Sequence, residues 1–489
     1  MMRRSICAGL LLIAGLVGCT VGPNYHTPVV PLPVTWSEVP ESGVTTHPFE
    51  VVQWWSAFQD PLLDSLIARA VMANLDLRVA QERVREARAL RGVTAADSWP
   101  TLNIRGVYSR LRRSQNVTTS PSTTPGTGGT PGGGTPTTAW ESDLFQSDFD
   151  ASWELDLFGR VRRSVEAAEA NMAAAEENRR DVLVTLLAEL ARNYIELRGL
   201  QRQLVVTHDN IQAQQQSVAL TDARFQSGLT SALDVAQAEA QLATTQSQVP
   251  TLESAARQSI HRLGVLLGQP PETLLDELTP ERPIPSVPPE VMVGLPSDLL
   301  RRRPDVRRAE QELAAATARI GVATADLFPR FSLTSNIVGL QSADIADLAL
   351  ASSRFWTAGP TLSWPIFDAG RIRANIEVQN AREEQALAQY EKAVLTALED
   401  VEDALVAYAR EQVRRGALMA AVEANQRAAG LANERYIKGL GDFLNVLEAQ
   451  RSLYDSQDQL VQSERTAVSD LIALYKAIGG GWEVDSRIQ

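Results

Sequence analysis

Four stretches of the chain alternate apolar and polar residues with the period of a strand. From Phe145 to Leu157 the odd positions read Phe, Ser, Phe, Ala, Trp, Leu, Leu, and the even positions Gln, Asp, Asp, Ser, Glu, Asp. Trp356 to Ile366 repeats this with Trp, Ala, Pro, Leu, Trp, Ile on one side and Thr, Gly, Thr, Ser and Pro365 on the other. Leu102, Ile104 and Tyr108 predict one face of a third strand, and Phe331, Leu333 and Ile337 one face of a fourth. Elsewhere the period is helical. No proline falls between Pro136 and Pro250 or after Pro365. Gly159 to Gly228, as continuous helix, would run roughly 100 Å at 1.5 Å per residue. Leu183, Leu187, Leu190, Tyr194, Leu197 and Leu204 step by threes and fours, as do Tyr390, Val394, Ala397, Val401, Leu405 and Tyr408. Gln212 and Gln214 to Gln216 suit a helix wall with water on one side. Each long helix ends at a glycine, Gly228 or Gly439, with a second helix expected from about Ala232 and Asp442.

These elements come twice. Asp76, Gly92, Asp97 and Pro100 recur as Asp305, Gly321, Asp326 and Pro329, 229 residues on. Gly159-Arg160 recurs as Gly370-Arg371, and Arg224 to Leu229 as Arg435 to Leu440, now 211 residues on. The first copy therefore carries an insertion, visible as the Thr/Pro/Gly-rich tract Thr118 to Thr138, which cannot form a core. Thr279 to Pro304 is proline-rich and predicts an extended linker between the copies. The expected divisions are a leader at 1–18, an N-terminal segment at 19–60, repeat 1 at 61–278, the linker at 279–304, repeat 2 at 305–480 and a tail at 481–489. Each repeat holds a helix, two strands and a long helical hairpin, so the fold class is α+β.

A soluble β-sandwich would need about seven short strands. Four strands cannot close a lipid-facing barrel either, since such barrels begin at about eight. An open strand edge in lipid leaves backbone groups unsatisfied. The strands therefore imply a barrel shared among several copies of the chain. Pro360 and Pro365 fit this least well, because proline belongs at strand edges or bulges.

Charge and cysteine content narrow the partners. Lys and Arg number 46 against 59 Asp and Glu, a net charge of −13, which is no nucleic-acid footprint. Arg3 and Arg4 precede an apolar run from Ile6 to Val17, the length of a secretory leader. It ends Leu16-Val17-Gly18-Cys19, which resembles a bacterial lipoprotein processing site and implies cleavage before Cys19 and acylation of it. Thr20, not an acidic residue, follows, which points to the outer membrane. Cys7 lies in the leader, so the mature chain keeps one cysteine and can form neither an intrachain disulfide nor a Cys/His metal cluster. No apolar run of about 20 residues follows the leader, so no transmembrane helix is expected. Nucleophile elbows, zinc-protease helices and phosphate-binding loops are absent from the sequence, and no catalytic residue or cofactor is expected beyond the lipid on Cys19.

Cys19-Thr20-Val21-Gly22-Pro23-Asn24-Tyr25, then Trp54-Trp55, Phe58 and Asp60-Pro61, and above all Gly294-Leu295-Pro296-Ser297-Asp298-Leu299-Leu300-Arg301-Arg302-Arg303-Pro304-Asp305, resemble blocks of the TolC-like outer-membrane factor family, closely its lipoprotein branch that serves RND-type pumps. The resemblance spans essentially the whole mature chain. It implies a homotrimer with twelve outer-membrane strands, four per chain, above a periplasmic tunnel of helices. It implies a periplasmic adaptor and an inner-membrane RND-type transporter as partners, and outer-membrane lipid around the barrel. In the family the hairpin tips, here Gly228-Leu229-Thr230 and Gly439-Leu440-Gly441, meet the adaptor. Gly441 departs from the Ser or Thr usual there. Leu444 and Glu448 match positions that close the periplasmic mouth, where the carboxylate is usually Asp; Arg451 is their charged neighbour. Two other functions stay open at this point: a type I secretion channel, and a lipid-anchored coiled-coil scaffold of the envelope.

Overall fold

The computed structural model describes residues 20–37, 44–45, 53–112, 114, 141–286 and 291–482. The leader, Cys19, the Thr118 to Thr138 tract and the last residues of the tail lie outside them. The chain divides into two compact units. One comprises Met1–His26, Arg88–Glu169 and Ala314–Glu384; the other comprises Thr27–Ala87, Ala170–Leu313 and Gln385–Gln489.

The first unit is built on an antiparallel sheet of four strands, β1 (Thr101–Arg112), β2 (Glu141–Leu155), β3 (Arg330–Ser342) and β4 (Arg354–Ser363), in the order β1-β2-β3-β4. β2 begins before the alternating run and stops at Leu155, and β4 stops at Ser363, so Trp364 to Ile366 lie beyond it. The register puts the expected residues on one face. Ile104 opposes Phe149, Tyr108 opposes Phe145, Trp153 opposes Leu333, and Phe331 opposes Leu362. Ile337 is a correction. Phe149 opposes Val338 and Asp150 opposes Asn336, so Ile337 is the extra residue of a bulge and leaves the alternation. Pro360 sits opposite Leu333 in β4, an edge strand of the single chain, the place in a sheet where proline is tolerated.

This apolar face is bare: Leu102 is 63 % exposed and Ile104 69 %. Soluble proteins rarely leave so large a patch uncovered. Phe145 to Leu155 covers roughly 34 Å of strand at about 3.4 Å per residue, which a tilt of about 40° reduces to ~26 Å, the height of a lipid-facing band. Beyond the Tyr108–Phe145 ring pair (centroids 4.9 Å apart) the same face turns charged. Arg110 pairs with Glu141 at 2.9 Å, and the Tyr108 hydroxyl donates to Asp143 at 3.1 Å. The opposite face carries Asn103, Gln146, Asp148, Thr334 and Thr361.

Helices dominate the rest: α1 (Pro61–Ala73), α2 (Leu75–Ala96), α3 (Arg160–Gln226), α4 (Ala232–Gln246), α5 (Val249–Leu266), α6 (Pro304–Ala325), α7 (Arg371–Ile437) and α8 (Phe443–Ala477). α3 and α7 have 67 residues each and begin and end at repeat-equivalent positions. Their heptad stripes are buried, with Leu183, Leu190, Tyr194 and Leu197 in α3 and Tyr390, Val401 and Leu405 in α7 at 0–1 % exposure. Gln212, Gln215 and Gln216 face outward, but Gln214 is buried, so the wall is not uniformly wet.

The second arms of the two hairpins differ. α8 is one helix of 35 residues, whereas its counterpart breaks into α4 and α5, with Pro250 in the first turn of α5. The linker is not uniformly extended as expected. Val291–Met292 pairs in parallel with Val44–Thr45, Pro296–Asp298 forms a 3-10 turn, and Leu299–Arg302 a turn of α-helix. In the second unit Trp54 is buried and stacks on Tyr475 at 5.4 Å. Asp60 caps α1 by accepting from Leu62 N and receives the Tyr194 hydroxyl. Burial and that carboxylate push the Tyr194 phenol up to about 12.

Phe149→Arg places a charge in the middle of the apolar band and is expected to cost about 2–4 kcal/mol of barrel stability. Ser152→Arg, on the polar face, is expected to cost little. Urea unfolding in phospholipid vesicles distinguishes them; equal losses would mean the faces are assigned wrongly.

Candidate functional site

The two hairpin tips are built alike. At the first, Gly228 takes φ +71° after α3. Its N–H donates to the Phe225 carbonyl at 2.9 Å, and Leu229 N–H to the Arg224 carbonyl at 2.8 Å. At the second, Gly439 also has φ +71°, with Gly439 N–H on Tyr436 O and Leu440 N–H on Arg435 O at 3.0 and 2.9 Å. This pair of bonds is the Schellman helix ending, for which a left-handed glycine is the natural residue. It turns the chain so tightly that the following leucine is left outside: Leu229 and Leu440 are each 65 % exposed.

Past the leucine the tips diverge. Thr230 donates to Asp234, and Ser231 and Asp234 form a reciprocal capping box on α4. Gly441 has no side chain to do this, and Asp442 precedes α8 without a side-chain cap bond. Instead Arg435 donates to the Leu440 carbonyl at 3.1 Å. Arg224 joins the tips: its guanidinium reaches the Ile437 carbonyl at 3.2 Å and lies 4.6 Å over the Tyr436 ring. Below them Tyr436, Phe443, Val446, Leu447 and Ala238 form a small buried cluster.

Leu444, Glu448 and Arg451 lie on one outward face of α8, and Leu444 is 50 % exposed. The i, i+4 spacing puts Leu444 and Glu448 one above the other. Arg451 is not free to answer Glu448 alone, because its Nε donates to Gln241 Oε1 of α4 at 2.6 Å. Leu233, the counterpart of Leu444, is likewise exposed on α4.

The Gly294 to Asp305 block works as a structural knot. The Trp36 indole donates to Gly294 O at 3.0 Å, and Leu295 N–H to the Asp298 carboxylate at 3.0 Å. Buried Arg303 reaches Asp305 at 2.6 Å, Asp400 at 2.8 Å and the Ala477 carbonyl at 3.0 Å. Burial pushes the Asp305 carboxyl up, but the hydrogen bonds and charge of Arg303 outweigh it and hold it below its ordinary range. The Trp482 indole closes on Arg302 O at 2.9 Å, with the Arg180 guanidinium 4.6 Å over its ring.

The segment after Cys19 is clasped in the first unit. Val21 N–H donates to Phe158 O at 3.2 Å. Gly22 (φ +88°) lies against the backbone of Gly321, and Thr20 against Gly159, so closely that a Cβ on either glycine would clash. The buried Arg163 guanidinium donates to Asn24 Oδ1 at 2.6 Å, to Val21 O at 3.2 Å and to Gly22 O at 3.4 Å. Nothing in the sequence flags Arg163. A cation in the first turn of a helix reads as a poorly placed surface charge. Besides Glu166 on the same helix, at 2.7 Å, its partners come from the folded segment that it embraces. Cys19 itself lies outside the described residues.

Among the described residues no helix is long and apolar enough to cross a membrane, and no group of three or more His, Cys, Asp or Glu is arranged to hold a metal ion.

Residues 66–269 and 295–480 match the outer membrane efflux protein family. The chain is 34 % identical over 475 residues to nodulation protein T of Rhizobium leguminosarum bv. trifolii, covering 96 % of this chain and 95 % of that one. It is 32 % identical over 495 residues to the solvent efflux pump outer membrane protein SrpC of Pseudomonas putida, covering both chains in full. Among solved structures, the outer-membrane channel OprN superposes with a TM-score of 0.86 at 37 % identity, over 95 % of this chain and all of that one. With its duplicated strands and long hairpins, the chain belongs to the outer membrane efflux protein family.

Proposed function

We propose that three copies of this chain form the outer-membrane exit duct of a tripartite efflux pump. It is a passive conduit for small toxic compounds, driven by an inner-membrane transporter through a periplasmic adaptor. The observation that carries this reading is the four-stranded sheet, apolar on one face, polar on the other and unpaired at both edges. Such a sheet is stable in lipid only when its edges are closed by further strands. Three chains supply twelve, with the polar faces lining a water-filled lumen. Relatives named as solvent, toluene and antibiotic efflux proteins support the cargo class. Type I secretion and a coiled-coil scaffold have no such support. Purified protein in planar bilayers tests the reading: discrete single-channel steps are expected from a trimer-sized particle, and a folded monomer without conductance would refute it.

Within this reading Cys19 carries the lipid, and the clasp fixes the Thr20 to Asn24 segment that follows it. Gly228-Leu229-Thr230 and Gly439-Leu440-Gly441 are the adaptor's docking points, where the exposed leucines offer apolar contact and Thr230 a hydroxyl. Leu444 and Glu448 narrow the periplasmic mouth. Three Glu448 carboxylates about 6 Å apart in water repel by only ~0.7 kcal/mol per pair, so leucine packing and the Arg451–Gln241 tie decide closure.

Two outcomes are expected. Cys19→Ser abolishes fatty-acid labelling and weakens retention in the outer membrane, while Arg163→Ala keeps the label but exposes the segment after Cys19 to protease. Equal label in Cys19→Ser and the unaltered chain would remove the lipid assignment. At the mouth, burial of one leucine is worth about 1.5–3 kcal/mol. Three changes at once approach the ~5.5 kcal/mol that inverts a 1:99 population. Leu444→Asp should therefore raise single-channel conductance severalfold, and Leu233→Asp less, because Gln237 stands where Glu448 stands in the second copy. Unchanged conductance in an intact Leu444→Asp trimer places the constriction elsewhere.

A further inference from the structure

The helices of the second unit form a layer with one covered and one bare side. α8 and the start of α6 meet end to end, where Arg303 donates to the Ala477 carbonyl, and both lie between α3 and α7. On one flank Glu196 of α3 pairs with Arg465 of α8 at 2.7 Å, and Glu177 of α3 with Arg307 of α6 at 2.8 Å. On the other, Ser463 of α8 donates to Glu411 of α7, and Arg303 reaches Asp400 of α7. Leu183, Leu187, Leu190 and Tyr194 mark the covered side of α3. Tyr194 donates to Asp60, and Leu187 and Trp54 both lie against Gly481. Asp181, Thr185, Ala188 and Arg192 stand two residues from each of these, about 200° round the helix and so on the opposite side. Ser469 and Ala473 stand in the same relation to Leu471 and Tyr475 of α8, and Tyr475 is the residue that stacks on Trp54.

On the bare side these stripes and α7 enclose a cleft of 780 Å³, the size of a site for a drug-sized molecule. Its apolar part is built of small side chains, Val184, Ala188, Ala404 and Ala473 among them, which leave the room. Six carboxylates line it, but five are already paired. Asp305 and Asp400 share Arg303, and Asp181 meets Arg308 at 3.5 Å. Glu189 meets Arg262, and Glu196 meets Arg465. Arg192, Lys476 and Asp403 are exposed, and their side chains make no hydrogen bond or ion pair among the described residues. Lys476 acts on Asp181, and Arg192 on Asp470, only through space. The acidic lining is thus neutralised by its own ion pairs. What it leaves for a ligand is two cations and one carboxylate over an apolar surface.

We propose that this cleft is a resting site for cargo inside the duct, and that it takes small molecules with one carboxylate and an apolar body. The carboxylate pairs with Arg192 and Lys476, and the body covers Ala188, Ala404 and Ala473. This rests on the exit-duct reading above and adds a cargo class to it. A tunnel wall with one covered side has only its bare side to turn toward the passage. Water-exposed cations hold an anion weakly, and a conduit requires binding that is weak enough to release. Asp403 disfavours a second negative charge on the ligand.

Calorimetric titration of the protein in lipid nanodiscs tests it, with empty nanodiscs as the blank. The probes are 1-naphthoate and its neutral amide, 1-naphthamide. One naphthoate per chain is expected, bound roughly tenfold more tightly than the amide, the discrimination that a charge-assisted hydrogen bond supplies. Arg192→Gln with Lys476→Gln should abolish that preference. Asp403→Asn should raise naphthoate affinity about two- to threefold, because a nearby like charge is removed. Arg427→Gln, an exposed cation of α7 paired only with Glu423, should change nothing. Equal affinity for acid and amide, or a preference that survives the double substitution, overturns the site. Should the double variant fail to assemble, each single substitution is read in its place: a severalfold loss supports the site and no loss overturns it. Planar-bilayer recordings on the same preparations keep the two readings apart. Channel steps without a naphthoate preference overturn this inference alone, and an unaltered chain without steps overturns the duct beneath it.

Discussion

Everything in this protein follows from the two unpaired edges of its sheet. A strand edge in hydrocarbon leaves N–H and C=O groups without partners, each costing several kcal/mol. The face that would seek lipid is continuous across all four strands, from Leu102 and Ile104 through Phe149 and Trp153 to Leu333 and Leu362. A sheet this apolar on one side and this open at its edges has no stable state as a single chain in water or in lipid. The oligomer is thus part of the fold and not a later association.

Duplication is the economical answer to that constraint. One strand pair with its helices is copied within the chain, and three chains supply the twelve strands that close the barrel. The copies have nevertheless drifted apart in places. The guanidinium that grips the Val21 to Asn24 segment has no equivalent in the second repeat, where Ala374 is the counterpart of Arg163. Only the first tip has the Ser231–Asp234 capping box. The second has Gly441 in place of a hydroxyl and Asp442 without a side-chain cap bond, and it leads into the unbroken α8. The repeat that carries Leu444, Glu448 and Arg451 is therefore the one without the capping box and with the continuous second arm.

The charged groups of the second unit bear on stability more than on chemistry. Arg303 satisfies two carboxylates and a helix-end carbonyl, and Arg198, wholly buried, donates to Gln201 at 2.6 Å and to Pro280 O at 3.1 Å. Removing one member of such a set strands its partners in a medium where an unpaired charge is costly. This gives the Gly294 to Asp305 block a structural part, tying the segment to α8 and α7 through Arg303. Asp181, which burial and Asp305 push above the ordinary carboxylate range, lines a cleft of 780 Å³ beside the cluster.

Much of this was legible from the residues alone. Period-two alternation marked the strands, because successive side chains leave a sheet on opposite sides. Proline-free heptads marked α3 and α7, and the offset of 211 residues aligned these two helices, which begin and end at equivalent positions. The glycines at 228 and 439 located the tips, since few other residues take φ near +71°. The bulge at Ile337 was not legible. An apolar residue there satisfies the alternation equally well, and only the pairing with β2 shows that it has no partner. Nor were the short elements inside the proline-rich linker, because pairing of Val291–Met292 with Val44–Thr45 joins residues far apart in sequence. Arg163, Arg224 and Arg303 show the same limit. A long cationic side chain is read from sequence as a surface group, and only tertiary structure brings carbonyls and carboxylates around it at hydrogen-bond distance and excludes the water that would otherwise satisfy it.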